Sequence, residues 1–273
     1  MRPQPYISVS GVTRAQPLLD ALHDSPEPRF MSDDGDIVSR HGHQLVFGVL
    51  VSRKTIYGDG NKYPRLYPRI EEAHLAVPTH GASAIVHYSQ DDDRGLGAAL
   101  VDAVAMTERP GRRVEGVQVN VAWPRVAELV TFTDAYPNRR LILQVGPKAC
   151  AEVSTWDDLW KKIRQYAWLI TDVLIDRSAG RGQPADQSFV LPIVEILQTF
   201  APHLGVGVAG GLGPDTLDLA AKVIERYPRT SLCAERRLRD EQDGGGELVL
   251  DKVRRYVSQA RQIIDGSPVA PLR

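Results

Sequence analysis

Cysteine is scarce: Cys150 and Cys233 are the only two in 273 residues. They lie far apart and form no metal-type spacing, so neither a disulfide framework nor a cysteine-built metal site is suggested. A charge excess is missing too, with 33 Lys and Arg against 34 Asp and Glu and a net charge of −1. That balance excludes nucleic-acid binding through a broadly basic surface, and a polybasic membrane patch, while leaving room for a local basic groove. No apolar run approaches the length that spans a bilayer. The opening "MRPQPYISVS" carries no apolar stretch of signal-peptide length. A reducing cytoplasm is the simplest expected setting. No G-x-G-x-x-G follows the first apolar run, which speaks against a dinucleotide-binding open sheet.

What is present is alternation. Short β-branched runs occur at 6–10, 44–52, 83–89, 114–122, 140–146, 172–176, 206–211 and 230–235. Most are apolar at both parities, as strands covered on both faces must be. Between them lie amphipathic runs suited to helices. Thr13 is placed to cap the first and Pro124 to open the fourth, while Pro192 should kink the sixth or mark its start. Eight strands alternating with eight helices predict a single-domain (β/α)₈ TIM barrel over 1–273. Three connections are long for this fold: 25–43, 53–68 and 239–247.

A barrel works at the C-terminal ends of its strands. That rule selects Ser10, Ser52, Arg53, Tyr88, Gln90, Gln118, Asn120, Gln144, Asp176, Glu235, Arg236 and Arg237. Asp176 ends an apolar strand. It reads either as a general acid or base, if partial burial raises its pKa, or as a cap or ion-pair partner for a neighbouring arginine. Gly180 and Gly182 flank Arg181, which allows close backbone approach and offers a guanidinium to an anion. "VAGGLGPDT" places Gly210 and Gly211 at a strand end, with Gly213-Pro214-Asp215 expected to start a helix. Backbone N–H groups and a helix N-terminus would favour an anion there, although a tight turn needs the same glycines. The basic, tyrosine-rich 53–68 segment reads as a lid over an anionic ligand or as a solvated loop. His41 and His43 precede the second strand, at the wrong end of a barrel for a catalytic metal, so no metal is expected. "DDDRG" (91–95) could bind a cation, but acids there suit a helix start better. The aromatics of "WDDLWKK…YAWLI" suit packing against the barrel or a subunit contact.

These motifs resemble the phosphoribosylanthranilate isomerase family. "ISVSGVTR" is similar to the family's opening V-K-I-C-G-I-T-R, and "VQVN" to its strand-four V-Q-L-H. "VLIDRSAGRGQPAD" resembles L-L-L-D followed by a G-x-G loop, and "VAGGLGPDTLDLA" resembles L-A-G-G-L-x-P-x-N-V. The resemblance implies a cofactor-free Amadori-type isomerisation of an aminoaldose phosphate, with the acid at Asp176 and the base position at Ser10. The family has cysteine at that position, and a serine hydroxyl has no comparable anionic form at neutral pH without a base to activate it. No histidine stands out from the sequence as that base. Ser10 is therefore expected to donate a hydrogen bond to substrate.

The expected function is an isomerase-like enzyme acting on a phosphorylated or otherwise anionic sugar-like molecule. Asp176 and Ser10 are its catalytic candidates, and Gly180, Arg181, Gly182, Gly210, Gly211, Arg236, Gln118 and Asn120 its substrate- or phosphate-binding candidates. No cofactor, nucleic acid or membrane is expected as a partner. Two alternatives stay open: lyase or aldolase-like chemistry using Lys54 or Lys62, and a barrel that binds a ligand without turning it over.

Overall fold

The computed structural model describes residues 2–23, 39, 41–58, 61, 63, 65–176, 187–240 and 245–266, with backbone only at 187, 188 and 219. The strands are β1 (Tyr6–Ser10), β2 (Gln44–Ser52), β3 (Ser83–Ser89), β4 (Gly116–Asn120), β5 (Arg140–Val145), β6 (Asp172–Asp176), β7 (Gly205–Ala209) and β8 (Ser231–Ala234). Each pairs in parallel with the next, and β8 closes on β1 through Ile7↔Leu232 and Ser8↔Cys233. The chain is a single-domain (β/α)₈ barrel.

The helices are α1 (Ala15–His23), α2 (Arg53–Tyr57), α3 (Leu96–Thr107), α4 (Val126–Ala135), α5 (Pro147–Ala151), α6 (Trp156–Ile163), α7 (Gln187–Phe200), α8 (Asp218–Arg226) and α9 (Leu250–Ile264). Among the described residues, none is long and apolar enough to cross a membrane.

Several boundaries differ from the sequence reading. Helix α1 begins at Ala15, leaving Thr13 outside the cap position. Pro124 stands just before the N-cap Arg125. Residues Ile70–Ala76 form a 3₁₀ helix rather than an α-helix. Helix α7 runs through Pro192 instead of starting there. After β7 the chain makes turns, and α8 starts only at Asp218, not at Gly213.

The strand parities sort the barrel into layers. One parity faces the helices and builds the large outer core, with Val9, Phe47, Val86, Val119, Leu143, Ile175 and Leu232. The other fills the barrel. At its N-terminal end Arg140 pairs with buried Asp172 at 2.5 Å and lies over the Tyr6 ring. Above them sits an apolar plug of Tyr6, Val46, Ile85, Ile142, Leu174, Ala209 and Cys233. At the C-terminal end the inward positions become polar, with Ser10, His87, Gln118, Gln144 and Asp176 all buried. Burying such groups is costly unless they are paired, which makes this layer the candidate site.

Gly11 explains the glycine after β1. Its φ is +75°, and a Cβ there would lie 2.0 Å from Arg239 Nη2. The buried Arg239 fork donates to Gly11 O at 2.8 Å and to Gly246 O at 2.6 Å, tying β1 to the chain after β8. Gly11→Ala is expected to destabilise the fold by about 2 kcal/mol through the left-handed backbone and the displaced guanidinium. Urea unfolding measures this, and an unchanged midpoint would contradict it.

On the outer surface Trp156 meets Phe189 with ring centroids 5.0 Å apart, and Trp160 stacks on Phe200 at 5.7 Å. These pairs join α6 to α7, while Trp168 and Phe200 are exposed. The lysine and acid residues of α6 pair along the helix, with Lys161 Nζ 2.5 Å from Asp157.

Candidate active site

Asp176 is the last residue of β6 and points into the barrel mouth. Its Oδ2 accepts from Gln144 Nε2 at 2.9 Å, and Gln144 Oε1 accepts from Gln118 Nε2 at 3.0 Å. A carboxylate only accepts, which fixes the orientation of both amides. Gln118 Oε1 closes the row, buried and without a partner among the described residues. The three side chains come from β4, β5 and β6 at successive inward positions, which is why Gln118, Gln144 and Asp176 share a level.

Ser10 ends β1, and its hydroxyl lies 3.2 Å from Cys233 Sγ. Burial pushes the Cys233 thiol up to about 12, against the lowering effect of the Ser10 hydrogen bond. The pair is therefore a neutral hydroxyl beside a neutral thiol at physiological pH. Neither is a strong base as it stands.

A histidine does approach Ser10, contrary to the sequence reading. His87 on β3 faces inward over Gly48, between β1 and β3. A Cβ at Gly48 would lie 2.8 Å from both His87 Nε2 and Ser10 Oγ, so glycine keeps open the space they flank. Burial holds the imidazole down to about 4, so it is neutral near pH 7. It makes no hydrogen bond among the described residues. It lines the same cavity as Ser10 and Asp176. The signal that would have found it is strand parity: His87 is in register with inward Leu50 and Gln118. Tyr88, chosen from sequence, packs with the outer core and donates to Gln90 Oε1 at 2.7 Å.

The cavity over this layer has a volume of about 230 Å³. It also takes in Asn120, Gly210, Gly211, Glu235, Arg236 and Arg237. The Glu235 carboxyl is raised by burial first and then by the Asp176 charge, while Arg239 and Arg236 oppose the shift. The structure thus brings together Ser10, Gln118, Asn120, Asp176, Gly210, Gly211 and Arg236. Gly180, Arg181 and Gly182 lie outside the described residues, as does Lys62. A second cavity of about 930 Å³ adjoins the first and covers the ends of β2–β5. Tyr63, Tyr67, Ser89, Asn120 and Gln144 line both. The described part of the 53–68 segment therefore borders the cavities, and Ser52 Oγ fastens Asn61 at 2.9 Å.

Two other sequence candidates have local structural partners. The His43 ring is hydrogen-bonded to Ser39 Oγ and to Thr230 O, each at 3.0 Å. Asp92 and Asp93 pair with Arg94 and Arg125, each at 2.9 Å.

No family model and no curated protein sequence matches the chain. Similar folds occur among solved structures. A monomeric form of the dimeric phosphoribosylanthranilate isomerase of Thermotoga maritima aligns with a TM-score of 0.58 at 13% identity, covering 94% of this chain and 98% of that one. The phosphoribosylanthranilate isomerase of Thermococcus kodakaraensis gives 0.56 at 12% identity, covering 93% and 97%. The catalytic domain of a Pyrococcus furiosus chitinase gives 0.54 at 10% identity, covering 98% and 99%. At such identities the likeness is one of fold: this chain is similar to TIM-barrel enzymes whose stated activities differ.

Proposed function

We propose that this barrel is an acid–base isomerase of the phosphoribosylanthranilate isomerase kind, acting on a phosphorylated or otherwise anionic sugar-like molecule. The observation that supports this most is the buried Asp176 carboxyl, aimed by the Gln118–Gln144 row into the cavity that a neutral, unpartnered His87 also faces. Aldose-to-ketose chemistry needs a proton given to the ring or carbonyl oxygen and a proton taken from C2. Asp176 is the acid–base residue, and His87 is a second acceptor already in its basic form. Ser10 donates a hydrogen bond to a substrate oxygen. Gln118 and Asn120 suit sugar hydroxyls, and Gly210 and Gly211 let the substrate approach the backbone.

Proton exchange tests this reading without knowledge of the natural substrate. In D2O the protein is expected to load deuterium at C2 of at least one member of a panel of aldose and aminoaldose phosphates, with the ketose appearing alongside by NMR. Tight binding across the panel, with neither exchange nor ketose, would favour a non-catalytic barrel. Lysine-based lyase chemistry would instead leave a borohydride-trapped adduct.

A further inference from the structure

The two cavities differ in charge. Four cations, Arg53, Lys54, Arg94 and Lys148, line the larger one over β2–β5, facing only Asp91 and Asp92 among its described charges. Arg94 is committed to Asp92, with Nη2 2.9 Å from Oδ2. Arg53 lies over the Tyr57 ring at 5.1 Å and reaches Arg94 O. Lys54 and Lys148 are different: neither makes a hydrogen bond or ion pair among the described residues. They come from separate elements, α2 after β2 and α5 after β5, yet line one cavity.

The smaller cavity is balanced, with Asp176 and Glu235 against Arg236 and Arg237 among its described acids and arginines. Both arginines already have partners. The Arg237 side chain crowds Gly213, where a Cβ would lie 2.6 Å from Arg237 Cβ. Because α8 starts at Asp218, no helix N-terminus meets Gly210 and Gly211. An anion entering here would also approach Glu235 and Asp176.

We propose that the substrate's anionic group is held over β2–β5 by Lys54 and Lys148, rather than at Gly210, Gly211 and Arg236. This rests on the function proposed above and adds a shape to it. The substrate is elongated, with a sugar-like reacting end at Asp176 and a phosphate or carboxylate at the far end. The shared lining of Tyr63, Tyr67, Ser89, Asn120 and Gln144 lets one molecule span both cavities. Ammonium groups are point charges with rotatable donors and serve either anion. Both lysines are exposed, so binding weakens as salt rises.

Calorimetric titration in low salt with ribose 5-phosphate, and separately with gluconate, tests the site and tells phosphate from carboxylate. Saturable binding of at least one is expected. Lys54→Gln with Lys148→Gln should weaken it about tenfold or more, and Arg236→Gln by less than about twofold. The lysines are exposed, so the double variant should keep the wild-type circular dichroism spectrum. Weakening by Arg236→Gln alone overturns the placement and leaves the proposed function standing. Absence of binding for both probes also overturns it, while C2 exchange judges the function separately.

Discussion

Asp176→Asn is expected to lower turnover by about 10³-fold, within the 10²–10⁴ range of a lost general acid–base group, with little change in melting temperature. The measurement is kcat and KM on whichever sugar phosphate shows C2 exchange. The amide is isosteric, and its oxygen still accepts from Gln144 Nε2, so the row from β4 to β6 survives. What disappears is a proton that can be given and taken back. The loss should fall on kcat more than on KM, because the group is needed mainly in the transition state. Gln144→Met is expected to cost about tenfold in kcat, since it frees the carboxyl from its bracket without removing it. Turnover within about threefold of wild type in the Asp176→Asn protein would remove Asp176 from the mechanism.

Stability should fall steeply between pH 6.5 and 4. His43 and His87 are both held down to about 4 from the usual 6.5, in each case by burial first. In that window the unfolded chain takes up a proton at each site and the folded chain does not. The folded state therefore has its full advantage above about pH 6.5 and loses it as the pH drops toward 4. Each site contributes about 2 kcal/mol by pH 5 and about 3 kcal/mol by pH 4. Urea unfolding at pH 7 and pH 5 reads the difference before most carboxylates titrate. His43→Gln with His87→Gln should flatten it. A wild-type stability unchanged between these two pH values would show that the imidazoles are not held neutral by the fold.

The barrel was legible because parallel strands buried on both faces leave nearly continuous apolar runs. Those at 6–10, 44–52, 83–89 and 172–176 match β1, β2, β3 and β6. Helix starts were harder, since turn and helix share residues: Pro214 and Asp215 open a turn that delays α8 to Asp218. Within the site, Asp176 ends its strand, while Gln144 and Gln118 stand one and two residues before theirs, all on the inward parity and all singled out from the sequence as polar residues in apolar runs. His87 sits at the same level as Gln118 but was passed over, because its neighbour Tyr88 was taken as the inward residue and only register across β2–β4 assigns the face. The pairing of Ser10 with Cys233 joins residues 223 apart in sequence, a proximity created by barrel closure. Of the two uncommitted cations over β2–β5, Lys54 was named from the sequence and Lys148 was not, because their convergence on one cavity is a property of the fold.

The row of amides behind Asp176 also fixes the attitude of its carboxyl. Oδ2 accepts from Gln144, so the row holds the carboxyl in one orientation. Primary amides relay orientation but do not ferry protons at neutral pH, so β4 and β5 act as a bracket and not as a wire. Two glutamines from neighbouring strands thus set the plane in which the Asp176 carboxyl meets the cavity.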